Sequence, residues 1–306
     1  MPHNHSHNSS NEKFLNTTTA RLAITMLLNI LISVVQILGG IISGSLALIS
    51  DALHNLSDGA AIIISYIALR LKQKDNSQSH TFGLKRAEIL AAVINASALI
   101  IIYVFLFYEV IKRLYQPHKI EAETMAVVAF IGLVANVTGT ILLKRDSQDN
   151  INIRSSYVHL LGDSISSAAV IVGGIAIAIW NIVWIDALLT ILIGIYVIKE
   201  SWDILSEAIH VLMEGAPNNI SLDKVKDEVE KFSEVRDIHH IHLWMVGDND
   251  IHLEAHVNVN DMKISESDKL RSKIEVMLES KFDIHHITLQ FECNQCLEEG
   301  LIGQHK

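Results

Sequence analysis

Long apolar stretches fill the first two thirds of the chain and stop abruptly at Gly215-Ala216-Pro217. A helix needs about 20 apolar residues to cross roughly 30 Å of hydrocarbon. Six stretches meet that length, at 20–42, 46–70, 89–114, 122–143, 156–180 and 182–212, with only the short Trp180–Asp186 turn between the last two. Gly39-Gly40 and Gly173-Gly174 fall inside spans one and five, where missing side chains let helix backbones approach closely. Beyond Pro217 charge density rises and another pattern begins. Residues 221–233 and 265–281 have helical spacing with a charged face, while 236–246, 251–259 and 286–293 alternate as half-buried strands. In the second strand Ile251, Leu253, Ala255, Val257 and Val259 share one face, and His252, Glu254 and His256 share the other. In the third, Thr288, Gln290 and Glu292 oppose Ile287, Leu289 and Phe291. The pattern predicts an α-helical membrane protein of six transmembrane helices, followed by a small α+β domain in α-β-β-α-β order whose two helices cover one face of the sheet. Residues 1–16 read as a disordered, His-containing tail, 17–215 as the membrane domain and 216–306 as the soluble domain.

Lys and Arg in short loops set orientation. The loop after span two holds Arg70, Lys72, Lys74, Lys85 and Arg86, and that after span four holds Lys144, Arg145 and Arg154. The turns after spans one and five hold none, and Lys112, Arg113 and Lys119 after span three run against the trend. The balance puts both termini and the soluble domain in the cytoplasm of a cell bounded by an inner (plasma) membrane. The opening residues MPHNHSHNSS are polar and lack the order of a signal peptide. Composition agrees with a lipid setting, since 50% of residues are hydrophobic. A net charge of −10 argues against a nucleic-acid partner, which requires a basic face. Two cysteines, Cys293 and Cys296, make a single Cys-x-x-Cys rather than a disulfide framework. Sixteen histidines are many for this length and point towards metal.

Span two contains Ser50-Asp51-Ala52-Leu53-His54-Asn55-Leu56-Ser57-Asp58, and span five contains Tyr157-Val158-His159-Leu160-Leu161-Gly162-Asp163. Each carries His-x-x-x-Asp, and positions i and i+4 lie on one helix face. Two such helices packed face to face offer two nitrogens and two oxygens, a tetrahedral donor set that suits Zn²⁺. The plain alternative is a pair of structural hydrogen bonds. An ionised Asp at membrane depth costs about 2.5–3.5 kcal/mol on insertion scales, however, and this chain would bear that cost twice. Two copies of one ligand spacing therefore point to a metal at His54, Asp58, His159 and Asp163. Cation binding needs neutral His and ionised Asp, so metal and protons compete for the site. Asp51 precedes His54 by three residues; it either supports the ligands or lines their entrance, or it is an interfacial residue near the helix end.

At this point the chain resembles the cation diffusion facilitator family, in its zinc-preferring branch of cobalt–zinc–cadmium resistance facilitators and animal zinc transporters. The segments that carry the likeness are Gly44–Gly59, His80–Glu88, the second His-x-x-x-Asp, Gly194-Ile195-Tyr196, Leu212–Pro217 and Ile241–Trp244. The resemblance implies that His54, Asp58, His159 and Asp163 are the transport site. It implies metal efflux coupled to inward proton flow, by alternating access in a homodimer with a metallochaperone-like soluble domain. His rather than Asp at position 54 resembles the zinc-selective pattern, with Cd²⁺ or Co²⁺ as secondary cargo. His239, His256 and Glu292 match residues that bind regulatory zinc in relatives, although Gln290 stands where relatives use His. His240, His242, His285 and His286 are further candidates in the same domain. Cys293 and Cys296 resemble a C-terminal zinc pair, and Arg86 and Glu214 match a charged interlock at the dimer interface; solvated membrane-edge charges are the alternative for the latter two. A second loop site present in some relatives is expected to be missing or reduced to a weak, single-ligand contact, because Ser77 and Leu84 replace ligands there; His80 then reads as a solvated loop residue. His3, His5 and His7 either gather zinc or belong to a disordered tail.

Three other functions compete. An enzyme is disfavoured, since no His-Glu-x-x-His occurs and four inward ligands leave no open position on a metal. A passive channel is disfavoured because conduction needs weak binding. A membrane sensor that binds zinc without moving it remains the alternative to a Zn²⁺/H⁺ antiporter, and flux separates the two.

Overall fold

The computed structural model describes residues 8–116, 118–144, 151–247, 250–293 and 300–302. Six long helices come first: α1 (Asn8–Ser43), α2 (Leu46–Lys72), α3 (Ala87–Tyr115), α4 (Ala122–Lys144), α5 (Ile151–Trp180) and α6 (Trp184–Leu212). They are followed by α7 (Leu222–Val229), β1 (Val235–Gly247), β2 (Asp250–Val259), α8 (Ile264–Phe282) and β3 (His286–Glu292). Helices α2 to α5 are long and apolar enough to cross a membrane, and Leu27–Ser43 of α1 is a shorter apolar stretch. Helix α6 has the length but carries Asp186, Lys199, Glu200 and Asp203. Residues 8–16, expected in a disordered tail, belong to α1. Once a helix is nucleated, each added residue gains a hydrogen bond, so a membrane helix readily extends into polar sequence.

The chain divides into two compact units, Met1–Tyr66 with Ile94–Ile204, and Ile67–Val93 with Leu205–Lys306. In the first, α4 packs against α1 and α5. A Cβ on Gly39 would stand 2.7 Å from Val128 Cγ1, and one on Gly132 would stand 2.4 Å from Gln36 Nε2. Helices α1 and α4 therefore meet at backbone distance at both positions. Outward-facing Ile42, Phe105, Ile141 and Ile175 leave large apolar surfaces exposed, as lipid contact requires. The start of α2 is fixed from two directions. Ser45 Oγ accepts from Leu48 N at 3.1 Å, the ordinary N-cap contact. Buried Asp186 of α6 accepts from Ser45 Oγ at 2.6 Å, Leu46 N at 2.9 Å and Ala47 N at 3.2 Å. A carboxylate on the positive end of α2 satisfies donors the helix cannot pair itself. Arg113 donates to the Gly44 carbonyl beside this cap.

The second unit holds a sheet of order β1-β2-β3. β1 and β2 pair antiparallel, and β2 and β3 pair parallel, with α8 as the connection. Its core joins Val225 and Val229 of α7 and Leu270, Ile274 and Leu278 of α8 to Ile238, Ile241, Leu253, Ala255 and Val257 of the strands. Ile238 and Ile241 both lie in that core, yet residues three apart point to opposite faces of a regular strand. A register shift between His239 and His242 resolves the conflict, with His240 at φ 54°. One extra residue there lets β1 bury both isoleucines. Simple alternation put His239 in phase with Ile241 and Leu243; the bulge breaks that phase and pairs His239 with His256 across the ladder.

Candidate metal centre

His54 and Asp58 come from α2, and His159 and Asp163 from α5, each pair one helical turn apart. The four side chains converge. His159 Nε2 lies 3.1 Å from Asp58 Oδ2 and 3.7 Å from Asp163 Oδ2. His54 Nδ1 lies 3.7 Å from Asp58 Oδ2, and its Nε2 lies 3.8 Å from Asp163 Oδ1. The two imidazoles meet edge to face with centroids 5.7 Å apart. Donor atoms of His54, His159 and Asp163 all lie within 4.8 Å of one another. His54 Nδ1 and Asp163 Oδ2 are buried without a hydrogen-bond partner. Buried polar atoms normally find partners, so these two atoms are open to a ligand. Two imidazole nitrogens and two carboxylates fit a divalent ion of the zinc type.

Asp51 lies one turn before His54, and it is buried rather than interfacial. It accepts from Ser166 Oγ at 2.5 Å, Gln36 Nε2 at 3.0 Å and Ser167 Oγ at 3.1 Å, which ties α1, α2 and α5 together behind the ligands. Ser166 also lines a cavity of about 850 Å³ that His54, His159 and Asp163 share with Tyr196 and Glu200 of α6. The Tyr196 ring stands edge to face against His54 at 6.3 Å. Glu200 was missed by sequence reasoning, although a carboxylate inside an apolar span is itself a signal.

A second cluster lies in the soluble unit, where His239, His256 and Glu292 bring donor atoms within 4.8 Å. His239 Nδ1 donates to Asp237 Oδ2 at 2.9 Å, which turns the bare Nε2 towards Glu292 Oε2 at 3.6 Å. His256 Nδ1 is 2.9 Å from Glu292 Oε1 but out of line for a hydrogen bond. His239 Nε2, His256 Nδ1 and Glu292 Oε2 are all buried and unpartnered, as a cation site requires. Gln290 Nε2 donates to Glu292 Oε1 at 2.8 Å, so the amide holds the carboxylate instead of acting as a ligand. His240, lifted out by the bulge, stacks on His256 at 4.8 Å.

Among the described residues, the close donor group contains His239 and His256 and not His242, His285 or His286. His242 pairs with Glu254 across the ladder. His285 lies exposed beside Asp283 and Glu279. The His286 ring lies tilted against buried His252 at 4.3 Å, and burial, then the charges of His286 and Lys85, hold the His252 imidazole below its ordinary range. Cys293 is exposed just past β3, while Cys296 and the histidines at 3, 5 and 7 lie outside the described residues. In the loop after α2, His80 is exposed and contacts Ser79 at 3.2 Å. Arg86 donates to Glu214 at 3.4 Å within the one chain. Both groups are solvent-exposed, so the pair adds little stability by itself.

Residues 22–213 match the family model of the cation efflux transmembrane domain, and residues 217–293 match that of the cation efflux protein cytoplasmic domain. The chain is 38% identical over 298 residues to zinc transporter ZitB of Pectobacterium atrosepticum, covering 97% of this chain and 90% of that protein. It is 36% identical over 295 residues to a cadmium, cobalt and zinc/H(+)-K(+) antiporter of Bacillus subtilis, covering 95% and 92%. Among solved structures, the metal-bound C-terminal domain of the CzcD transporter from Cuprividus metallidurans aligns at 29% identity, over 24% of this chain and 99% of that one, with a TM-score of 0.22. With both family models matched in order along a multi-pass membrane chain, and relatives alike over nearly its whole length, the chain belongs to the cation efflux family.

Proposed function

We propose that this chain is a divalent-cation efflux transporter that exchanges cytoplasmic Zn²⁺ for protons, and that His54, Asp58, His159 and Asp163 carry the ion. The observation that bears most weight is the convergence of two His-x-x-x-Asp pairs on α2 and α5, with His54 Nδ1 and Asp163 Oδ2 buried and unpartnered. Relatives named for zinc, cadmium, cobalt and proton exchange support Zn²⁺ as main cargo, Cd²⁺ and Co²⁺ as further cargo, and H⁺ as counter-ion. The coupling follows from the donors. The ion needs neutral imidazoles and ionised carboxylates, so loading releases protons and protonation from the far side releases the ion. Two orientations of one site then suffice. Four protein donors leave no place on the ion for an activated water, which favours a carrier over an enzyme.

The N- and C-termini face the cytoplasm of an inner membrane, as the Lys and Arg distribution of the loops supports. The soluble unit pairs with that of a second copy, and His239, His256 and Glu292 hold a resident zinc that ties β1, β2 and β3 together without chemistry of its own.

Zinc flux into proteoliposomes under an imposed pH gradient tests the proposal. Flux is expected to follow the gradient in the native chain and to vanish in the Asp58→Ala, Asp163→Ala double variant. Zinc binding without movement in the native chain would make it a sensor instead.

A further inference from the structure

Helix α6 supplies a carboxylate that the four-residue site does not use. Glu200 lines the same cavity of about 850 Å³ as His54, His159 and Asp163, one turn beyond Tyr196. Tyr196 lines that cavity too. The Oε2 oxygen of Glu200 is shielded from solvent and has no hydrogen-bond partner among the described residues. The rest of the wall is largely apolar, with Leu189, Leu192 and Ile193, and carries one basic residue, Arg154 of α5. An ionised carboxylate in such a wall is costly, and a structural role would have given both oxygens a donor.

We propose that Glu200 is a cation ligand on the path to the transport site, holding a divalent ion with His159 before it passes to Asp163 and the α2 pair. The assignment rests on the transport proposal for its direction of travel, but not for the binding itself. With the termini in the cytoplasm, Glu200 sits towards the C-terminal, cytoplasmic end of α6, on the loading side. A hard oxygen donor beside an imidazole captures a partly hydrated ion, and the full donor set further in holds it more tightly.

Glu200→Gln keeps the shape while it removes the charge. Initial zinc flux against zinc concentration is the measurement. The variant is expected to need about tenfold more zinc for half-maximal rate, with a maximal rate within about twofold of native, the mark of lost binding rather than a lost step. Glu200→Asp is expected to recover part of the loss. A fall in maximal rate at unchanged zinc dependence would overturn the assignment and make Glu200 a part of the moving scaffold; no change in either would also overturn it. If the native chain moves no zinc, the transport proposal fails separately. Equilibrium zinc titration of the full chain carrying Asp58→Ala, Asp163→Ala, His239→Gln and His256→Gln, which leaves the Glu200 position as the one under test, then decides the binding role. Adding Glu200→Gln either weakens zinc affinity about tenfold or leaves it unchanged and ends the proposal.

Discussion

At the scale of single residues, the donor sets were readable because a metal needs particular atoms at particular spacing. His54, Asp58, His159 and Asp163 advertise themselves twice over, as ionisable groups in apolar spans and as a repeated i, i+4 pair. Asp51 was ambiguous for the opposite reason. A lone carboxylate gives no spacing to read, and only the fold shows Gln36, Ser166 and Ser167 donating to it. That geometry predicts a structural cost. Asp51→Asn puts an amide against three donors, so at least one of them loses its acceptor in a buried place. We expect a loss of about 1–3 kcal/mol, read as a lower unfolding midpoint of the purified chain in detergent. An unchanged midpoint would mean that the three donors find other acceptors and that Asp51 does not brace the bundle.

Among elements, helices and strands were legible to within a few residues, because hydrophobic period and length report them directly; the exception is α1, which starts at Asn8, twelve residues before the apolar stretch that announces it. What periodicity cannot report is where it breaks. β1 contains Ile238 and Ile241 at a spacing no regular strand can bury, and the bulge at His240 is the solution. The same break turns His239 to His256 and stacks His240 on it, so one backbone irregularity builds the soluble cluster. The Asp186 cap on α2 was hidden for a different reason, since 140 residues separate it from the Leu46 amide that it holds. The bulge makes a specific prediction. His240→Val places a β-branched side chain at φ 54° and should cost about 1–2 kcal/mol, whereas His240→Gly suits that backbone. Amide hydrogen exchange of β1 and β2 in the full chain should speed up roughly tenfold in the first variant and far less in the second. Equal exchange in both would mean that the left-handed residue is not what fixes the register.

For the whole molecule, transport has a direction only if the chain sits one way in the membrane. Loop charge argues for cytoplasmic termini, with Lys112, Arg113 and Lys119 as the dissenting group. Two of those three are engaged locally: Arg113 reaches the Gly44 carbonyl and Glu109, and Lys112 reaches Glu109. Part of the dissenting charge is therefore paired, which weakens its claim on orientation. The two cysteines allow a direct test. Cys296→Ser leaves Cys293, exposed just past β3, as the single thiol. A membrane-impermeant maleimide should then label inverted vesicles and spare intact cells. Labelling of intact cells would put the soluble unit outside. Glu200 would then face the exit rather than the loading side, and the same four-residue site would have to be driven in the reverse sense, with protons meeting it from the side on which Glu200 waits.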